Sequence, residues 1–341
     1  MPHLEAGVRR CTCPPGRGRQ PPTSGAPAVT TRSVAAQPEA GPLGRSAGLA
    51  ERIGGLIPFY YWAVLPGLIA TLAVVVLPLG YSFGLSFWHD ILTDPRNVHF
   101  DGLTNYAHAV GDPTFRNSLG TTLVYGIGTV TVELGLGMLF AIVVNSLTFG
   151  QGAVRTVMLV PVFMTPAVVA FMWRFMLHPD MGIINYFLSS LGFGHPVWLG
   201  DPKLALPAVM AVEIWRNTPF MFLVFLAGMQ SLPIELFEAA AVDGASFWQQ
   251  FRRLTIPLLM PLILVAVIIR GMDALREFDT IFIMTGGGPG NVTETIAIAT
   301  YRYSFRNYDM GLGSAVSYVI FAVVFLFGLY FVRRMHKTRV D

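Results

Sequence analysis

The stretch Leu258-Leu259-Met260-Pro261-Leu262-Ile263-Leu264-Val265-Ala266-Val267-Ile268-Ile269-Arg270, continued to Met284, decides the fold. Crossing a hydrocarbon core of roughly 30 Å takes about 20 predominantly apolar residues in a helix, and this run supplies them. The run is continuous rather than alternating, which excludes a strand of a membrane β-barrel. Its far half carries Arg270, Asp273, Arg276, Glu277 and Asp279, so the helix is both lipid-compatible and charged at one end.

Working outward, five further stretches reach spanning length: Phe59 to Phe87, Leu119 to Val144, Val154 to Leu177, Leu204 to Met229 and Leu312 to Val332. Pro161, Pro166, Pro219 and Gly271 fall inside spans, where neighbouring helices can re-satisfy the freed backbone groups. Charged residues make up 13% of the 341 residues and hydrophobic ones 53%, with a mean hydropathy of +0.55. A soluble domain carries about 25% charged residues, so this chain cannot clothe a water-facing surface of its size. An all-α integral membrane protein with six transmembrane helices is expected.

Residues 1–50 are rich in Pro, Gly, Ala and Arg and lack apolar periodicity. They read as a disordered cytoplasmic tail, leaving 51–341 as the membrane domain. No apolar core directly follows the tail arginines, so it does not read as a signal peptide. Cys11 and Cys13 have only His3 nearby, too few ligands for zinc, and are expected to be unpaired thiols. The seven histidines are scattered, no Ser-His-Asp or Cys-His set is visible, and no metal site is expected. A phosphate-binding loop ends in Gly-Lys-Ser/Thr. The two lysines, Lys203 and Lys337, follow Pro202 and His336, so the chain carries no such loop.

Lys and Arg set orientation through their excess on the cytoplasmic side. Fourteen fall in the two tails, at Arg155 and in the 230–257 loop, against five in the opposite loops. Both termini and that loop are therefore expected to be cytoplasmic. The loop 231–257 reads as structured. Ser231 and Glu235 frame a helix start with Pro233 in its first turn, and Gly244 supplies a left-handed stop. A second helical stretch, Phe247 to Leu254, leads to Pro257. Leu236, Phe237, Ala240 and Ala241 put apolar side chains on a short exposed helix, the form of a docking element. Its acidic Glu235, Glu238 and Asp243 argue against lying on anionic headgroups.

Glu238-Ala239-Ala240, Asp243-Gly244-Ala245, Ile256-Pro257 and Pro261 resemble the EAA loop of ABC-importer permeases. Pro78 to Phe87, Gly102-Leu103-Thr104-Asn105-Tyr106 and Thr285-Gly286-Gly287-Gly288-Pro289-Gly290 with Thr293-Glu294-Thr295 are similar to the carbohydrate branch, the maltose-type permeases. The resemblance implies the type I importer permease fold in a bacterial inner membrane. It further implies that the Glu238–Ala245 loop couples to an ATP-binding subunit. The implied partners are a second homologous permease, two ATP-binding subunits that hold the ATP and magnesium, an extracytoplasmic solute-binding protein, lipid and a sugar. No cofactor is expected in this chain.

An ionisable side chain inside the bilayer is costly and therefore a functional candidate. Arg270, Asp273 and Glu277 are spaced i, i+3, i+7 on one helical face shared by Ala274. Arg276 and Asp279 form a further i, i+3 pair, and Glu213, Trp215, Arg216 and Asn217 precede Pro219. In maltose-type permeases the substrate pocket uses positions matching Arg216, Asn217, Phe220, Arg270, Asp273, Ala274 and Glu277, and the resemblance implies a substrate pathway there. The competing reading makes these charges structural ion pairs. Glu133 and Arg174 have no polar company nearby in sequence and read as packing residues. From a different class, an ion-coupled secondary transporter could use Asp273 and Glu277 as ion sites, although inverted repeats are not evident.

Overall fold

The computed structural model describes residues 59–338. The expectations for residues 1–50, including Cys11 and Cys13, lie outside them. The chain divides into two units, Met1–Leu65 and Pro66–Asp341; of the first, only the opening of a helix, 59–65, is described.

That helix, α1 (Phe59–Thr71), passes through a π-helical turn, Leu72–Val76, into α2 (Leu77–Leu85). A two-stranded antiparallel hairpin follows, β1 (Trp88–His89) and β2 (His99–Phe100), with Trp88 opposite Phe100 and His89 opposite His99. Next come α3 (Thr104–Gly111) and the long α4 (Pro113–Asn145). Asp112 caps α4 by accepting from the Thr114 amide at 2.8 Å. This satisfies one of the four amides a helix start leaves unpaired.

The third apolar stretch is not one straight helix. It forms α5 (Gln151–Phe163) and α6 (Pro166–Met176), bent by 95°. Thr165 is extended, with ψ 143°, as a residue before proline must be, and Met164 is extended too, with ψ 139°. Among the described residues, five helices are long and apolar enough to cross a membrane unaided, or six if the bent pair is one span. α7 (Ile183–Ser190) and α8 (Ala205–Gln230) follow, then α9 (Ile234–Val242).

The fifth span also departs from expectation, at both ends. α10 (Phe247–Gln250) runs through a π turn, Phe251–Thr255, directly into α11 (Ile256–Leu275), so the second loop helix is continuous with the span. At the other end α11 stops at Leu275, Arg276 leaves helical geometry with φ −109°, and α12 (Asp279–Met284) starts anew. Arg270, Asp273 and Glu277 therefore do not share one uninterrupted helical face. α13 (Ile296–Tyr301), a π turn at Arg302–Arg306 and α14 (Met310–Thr338) complete the fold.

α4 and α8 form the centre. Phe222, Phe225, Leu226, Ala141 and Leu259 are buried in one cluster with Met138 and Val130. In lipid, such contact is driven by close packing rather than water exclusion, and small residues permit it. Gly137 is where α4 meets α8: a Cβ there would stand 2.5 Å from Met221 Cβ and 2.9 Å from the Phe222 amide nitrogen. This approach brings the polar faces of both helices into register with α11.

Candidate functional site

One turn before Gly137, α4 carries Glu133, which is fully buried. Its two oxygens receive the Arg270 guanidinium from α11, Nε at 2.9 Å and Nη2 at 3.0 Å. The same Nη2 reaches Glu213 Oε1 of α8 at 3.1 Å. Glu213, also fully buried, accepts from Arg216 Nη2 at 3.1 Å on both oxygens and from Asn217 Nδ2 at 2.7 Å. Arg216 lies 3.6 Å from Glu277, whose Oε1 is held by the Thr280 amide and hydroxyl at 3.0 and 2.7 Å. A continuous chain of charge therefore crosses three helices, Glu133–Arg270–Glu213–Arg216–Glu277. Bidentate, charge-assisted geometry of this kind offsets the cost of burial, which an isolated ion could not bear.

Glu133 is the residue that sequence reasoning assigned to packing. Its partner stands 137 positions away, beyond any local spacing rule. The available signal was the carboxylate itself, since one in a span needs a partner. Conversely, the Arg270–Asp273 pair is loose at 4.0 Å. Arg276 bonds Asp273 at 2.6 Å and not Asp279. Arg174 donates to the Ile283 carbonyl at 2.8 Å, closing the end of α12 as a packing residue does.

An open cavity of about 340 Å³ borders this chain, lined by Arg216, Asn217, Arg270, Asp273, Arg276 and Glu277 together with Pro166, Phe278 and Asp279. Five of the seven pathway candidates thus converge. Ala274 is buried against the apolar core, and Phe220 packs against the same core; neither lines the cavity. The break after Leu275 is what lets Glu277 turn toward Arg216. Two polar groups here have no hydrogen-bond partner, the Tyr125 hydroxyl and Arg216 Nε. Tyr125 lies two turns before Glu133 on α4, and sequence reasoning missed it, as tyrosine in an apolar run looks like any core aromatic.

The second element is the loop. No residue of α9 is buried. Gly244 adopts φ +78°, a region open to glycine. The Ala245 amide bonds the Ala240 carbonyl at 2.9 Å and the Gly244 amide the Ala241 carbonyl at 3.0 Å, a Schellman stop. Ser246 then caps α10 reciprocally with Gln249. The expected start differs: Pro233 occupies the cap position without a side-chain bond. Ser231 instead donates to the Gly228 carbonyl, closing α8. Ile234 and Val242 are 65% and 88% exposed, an unusual degree for aliphatic side chains on so short a helix.

At the opposite ends of the spans, Glu294 is buried and bonded by Arg302 at 2.5 Å and Ser118 at 3.1 Å. Burial pushes its carboxyl above the ordinary value despite these partners. Asp112 accepts from the Tyr303 hydroxyl. Burial pushes Asp112 up, but Tyr303, Thr114 and the Arg302 charge outweigh it and hold the carboxyl below its ordinary 3.8. Burial, then the Asp112 bond and charge, push the Tyr303 phenol well up.

Residues 133–341 match the family described as binding-protein-dependent transport system inner membrane component. A probable ABC transporter permease of Sinorhizobium fredii is 39% identical over 77% of this chain and 85% of its own length. The trehalose/maltose transport system permease protein MalF of Thermococcus litoralis is 37% identical over 80% of this chain and 92% of its own. The crystal structure of a bacterial ABC transporter involved in import of the acidic polysaccharide alginate has a chain that superposes with a TM-score of 0.72. That match is 22% identical and covers 86% of this chain and 99% of that one. The protein belongs to the inner-membrane component family of binding-protein-dependent transport systems, the permease subunits of ABC importers. It is a multi-pass membrane transport subunit with the importer permease fold, and not an enzyme.

Proposed function

We propose that the chain forms half of the translocation pathway of an ATP-driven carbohydrate importer, with the cavity beside Arg216, Asp273 and Glu277 contacting the solute. The observation that carries this reading is α9, an exposed helix with a fixed stop at Gly244 and apolar side chains that the chain itself leaves uncovered. Such a helix suits a groove on a separate ATP-binding subunit, with Glu238, Ala239, Ala240, Asp243, Gly244 and Ala245 at the contact. The kinship with a trehalose/maltose permease supports a sugar or polyol as cargo, and a solute-binding protein would deliver it from the outer side. Two ATP-binding subunits, which would hold ATP and magnesium, and a second permease complete the assembly. Both termini and the α9 loop face the cytoplasm in this reading, following the arginine bias.

ATP-driven closure of the motor pair would draw the α9 helices together and tilt the spans outward, and hydrolysis would reset them. Each ligand biases the two states by its differential contacts. The ion-coupled alternative is weaker, because Asp273 is bonded to Arg276 and Glu277 to Thr280. Proteoliposomes holding the complete complex test the assignment. Uptake should require ATP and the binding protein, persist without an ion gradient, and vanish in Glu238→Lys with the protein still inserted. Gradient-driven uptake, or unchanged uptake in that variant, would overturn it.

A further inference from the structure

Charge in and behind the cavity does not balance. Arg270 is neutralised by Glu133 and Glu213, which its Nε and Nη2 bond. Arg216 is held by Glu213 with Glu277 beside it. Arg276 is bonded to Asp273. Three guanidiniums therefore face four carboxylates in these pairs, and Asp279 on the cavity wall makes a fifth. Two of the carboxylates, Glu133 and Glu213, are fully buried behind the wall. They act as positioning residues, fixing Arg270, Arg216 and Asn217 while cancelling the positive charge those groups would show a solute. The wall itself sets Arg216, Arg270 and Arg276 against Asp273, Glu277 and Asp279, so the two buried carboxylates behind it leave the cluster with more carboxylates than guanidiniums.

Resting on the reading of this cavity as the solute pathway, we propose that it admits uncharged polyhydroxylated solutes and rejects anionic ones such as uronates or sugar sulfonates. Carboxylates accept hydrogen bonds from sugar hydroxyls strongly. An anion entering the same cavity meets net repulsion and no guanidinium without a carboxylate.

Charged thiol reagents measure this directly. The reporter is Phe278→Cys in the Cys11→Ser/Cys13→Ser background, with Pro166→Cys as a second site, in the complete transporter in nanodiscs. The rates to compare are those of trimethylammonium-ethyl and sulfonatoethyl methanethiosulfonate, normalised to a free thiol. The cationic reagent should react faster by on the order of tenfold or more, and adding Glu277→Gln should shrink that ratio severalfold. A normalised ratio at or below one at both sites, or one unmoved by Glu277→Gln, overturns the charge inference. No labelling at either site, with or without ATP, overturns the accessible cavity it needs. Protection from labelling by binding protein loaded with maltose or trehalose tests the pathway separately: its loss with the ratio intact would sink only the pathway reading.

Discussion

Three bonds from the one Arg270 guanidinium tie α4, α8 and α11 together. Removing it strands two buried carboxylates, and breaking such a pair costs about 3–5 kcal/mol. Arg270→Met should therefore lower the thermal midpoint sharply or abolish recovery of folded protein, read by fluorescence-detected size exclusion. Asp273→Asn breaks only a half-exposed contact, worth at most about 1 kcal/mol, so it should keep its midpoint and show its effect in uptake. Asp112 offers a pH test. Its folded carboxyl lies below the ordinary 3.8, so its stabilisation is complete above that value and lost as pH falls through the folded one. Asp112→Ala should cost about 1 kcal/mol near neutrality as a lost helix cap. The gap to wild type should narrow only in melts taken below the ordinary 3.8, as pH falls through the folded carboxyl's value. The sequence announced Arg270 and Glu277 as ionisable groups in a span, yet not their partners. Pairing here runs between helices, and helical spacing sees only one helix at a time.

At the scale of elements, what was legible followed from backbone chemistry that proline and glycine dictate locally. Gly244 marked the stop of α9 because a left-handed residue closes a helix there, and the carbonyls of Ala240 and Ala241 accept the closing bonds. The 95° bend between α5 and α6 was hidden, since hydropathy sums composition and Thr165-Pro166 changes direction without changing composition. The break at Arg276–Phe278 was hidden likewise, because no glycine or proline announces it. Two substitutions test the elements. Gly137→Val places a branched side chain where even a Cβ meets Met221 at 2.5 Å. It should force α4 from α8, lower the thermal midpoint and misalign Glu133 with Arg270. Gly244→Ala imposes about 1–2 kcal/mol of left-handed strain on an open turn where a Cβ would meet nothing. It should leave the spans intact while reducing motor-coupled ATP hydrolysis and uptake together.

For the whole molecule, the two distinctive regions sit at different depths: a charge chain inside the spans and an uncovered helix between α8 and α10. If the motor docks on α9, that helix must face the compartment that holds ATP, and the β1–β2 hairpin must face the other. The arginine distribution argues for this arrangement, and cysteine labelling tests it. Cys11 and Cys13 are the only cysteines, and replacing both by serine gives a silent background. Into it go Glu235→Cys on α9 and Asp94→Cys between the hairpin strands, both at exposed positions. A membrane-impermeant maleimide applied to spheroplasts should label Asp94→Cys at once and Glu235→Cys only after lysis. In the assembled transporter, the ATP-binding subunit should further slow labelling of Glu235→Cys in lysed membranes, because docking covers the helix. Labelling of Glu235→Cys from outside would invert the chain and remove α9 from reach of any cytoplasmic motor. Correct sidedness without protection would keep the topology and discard the docking surface.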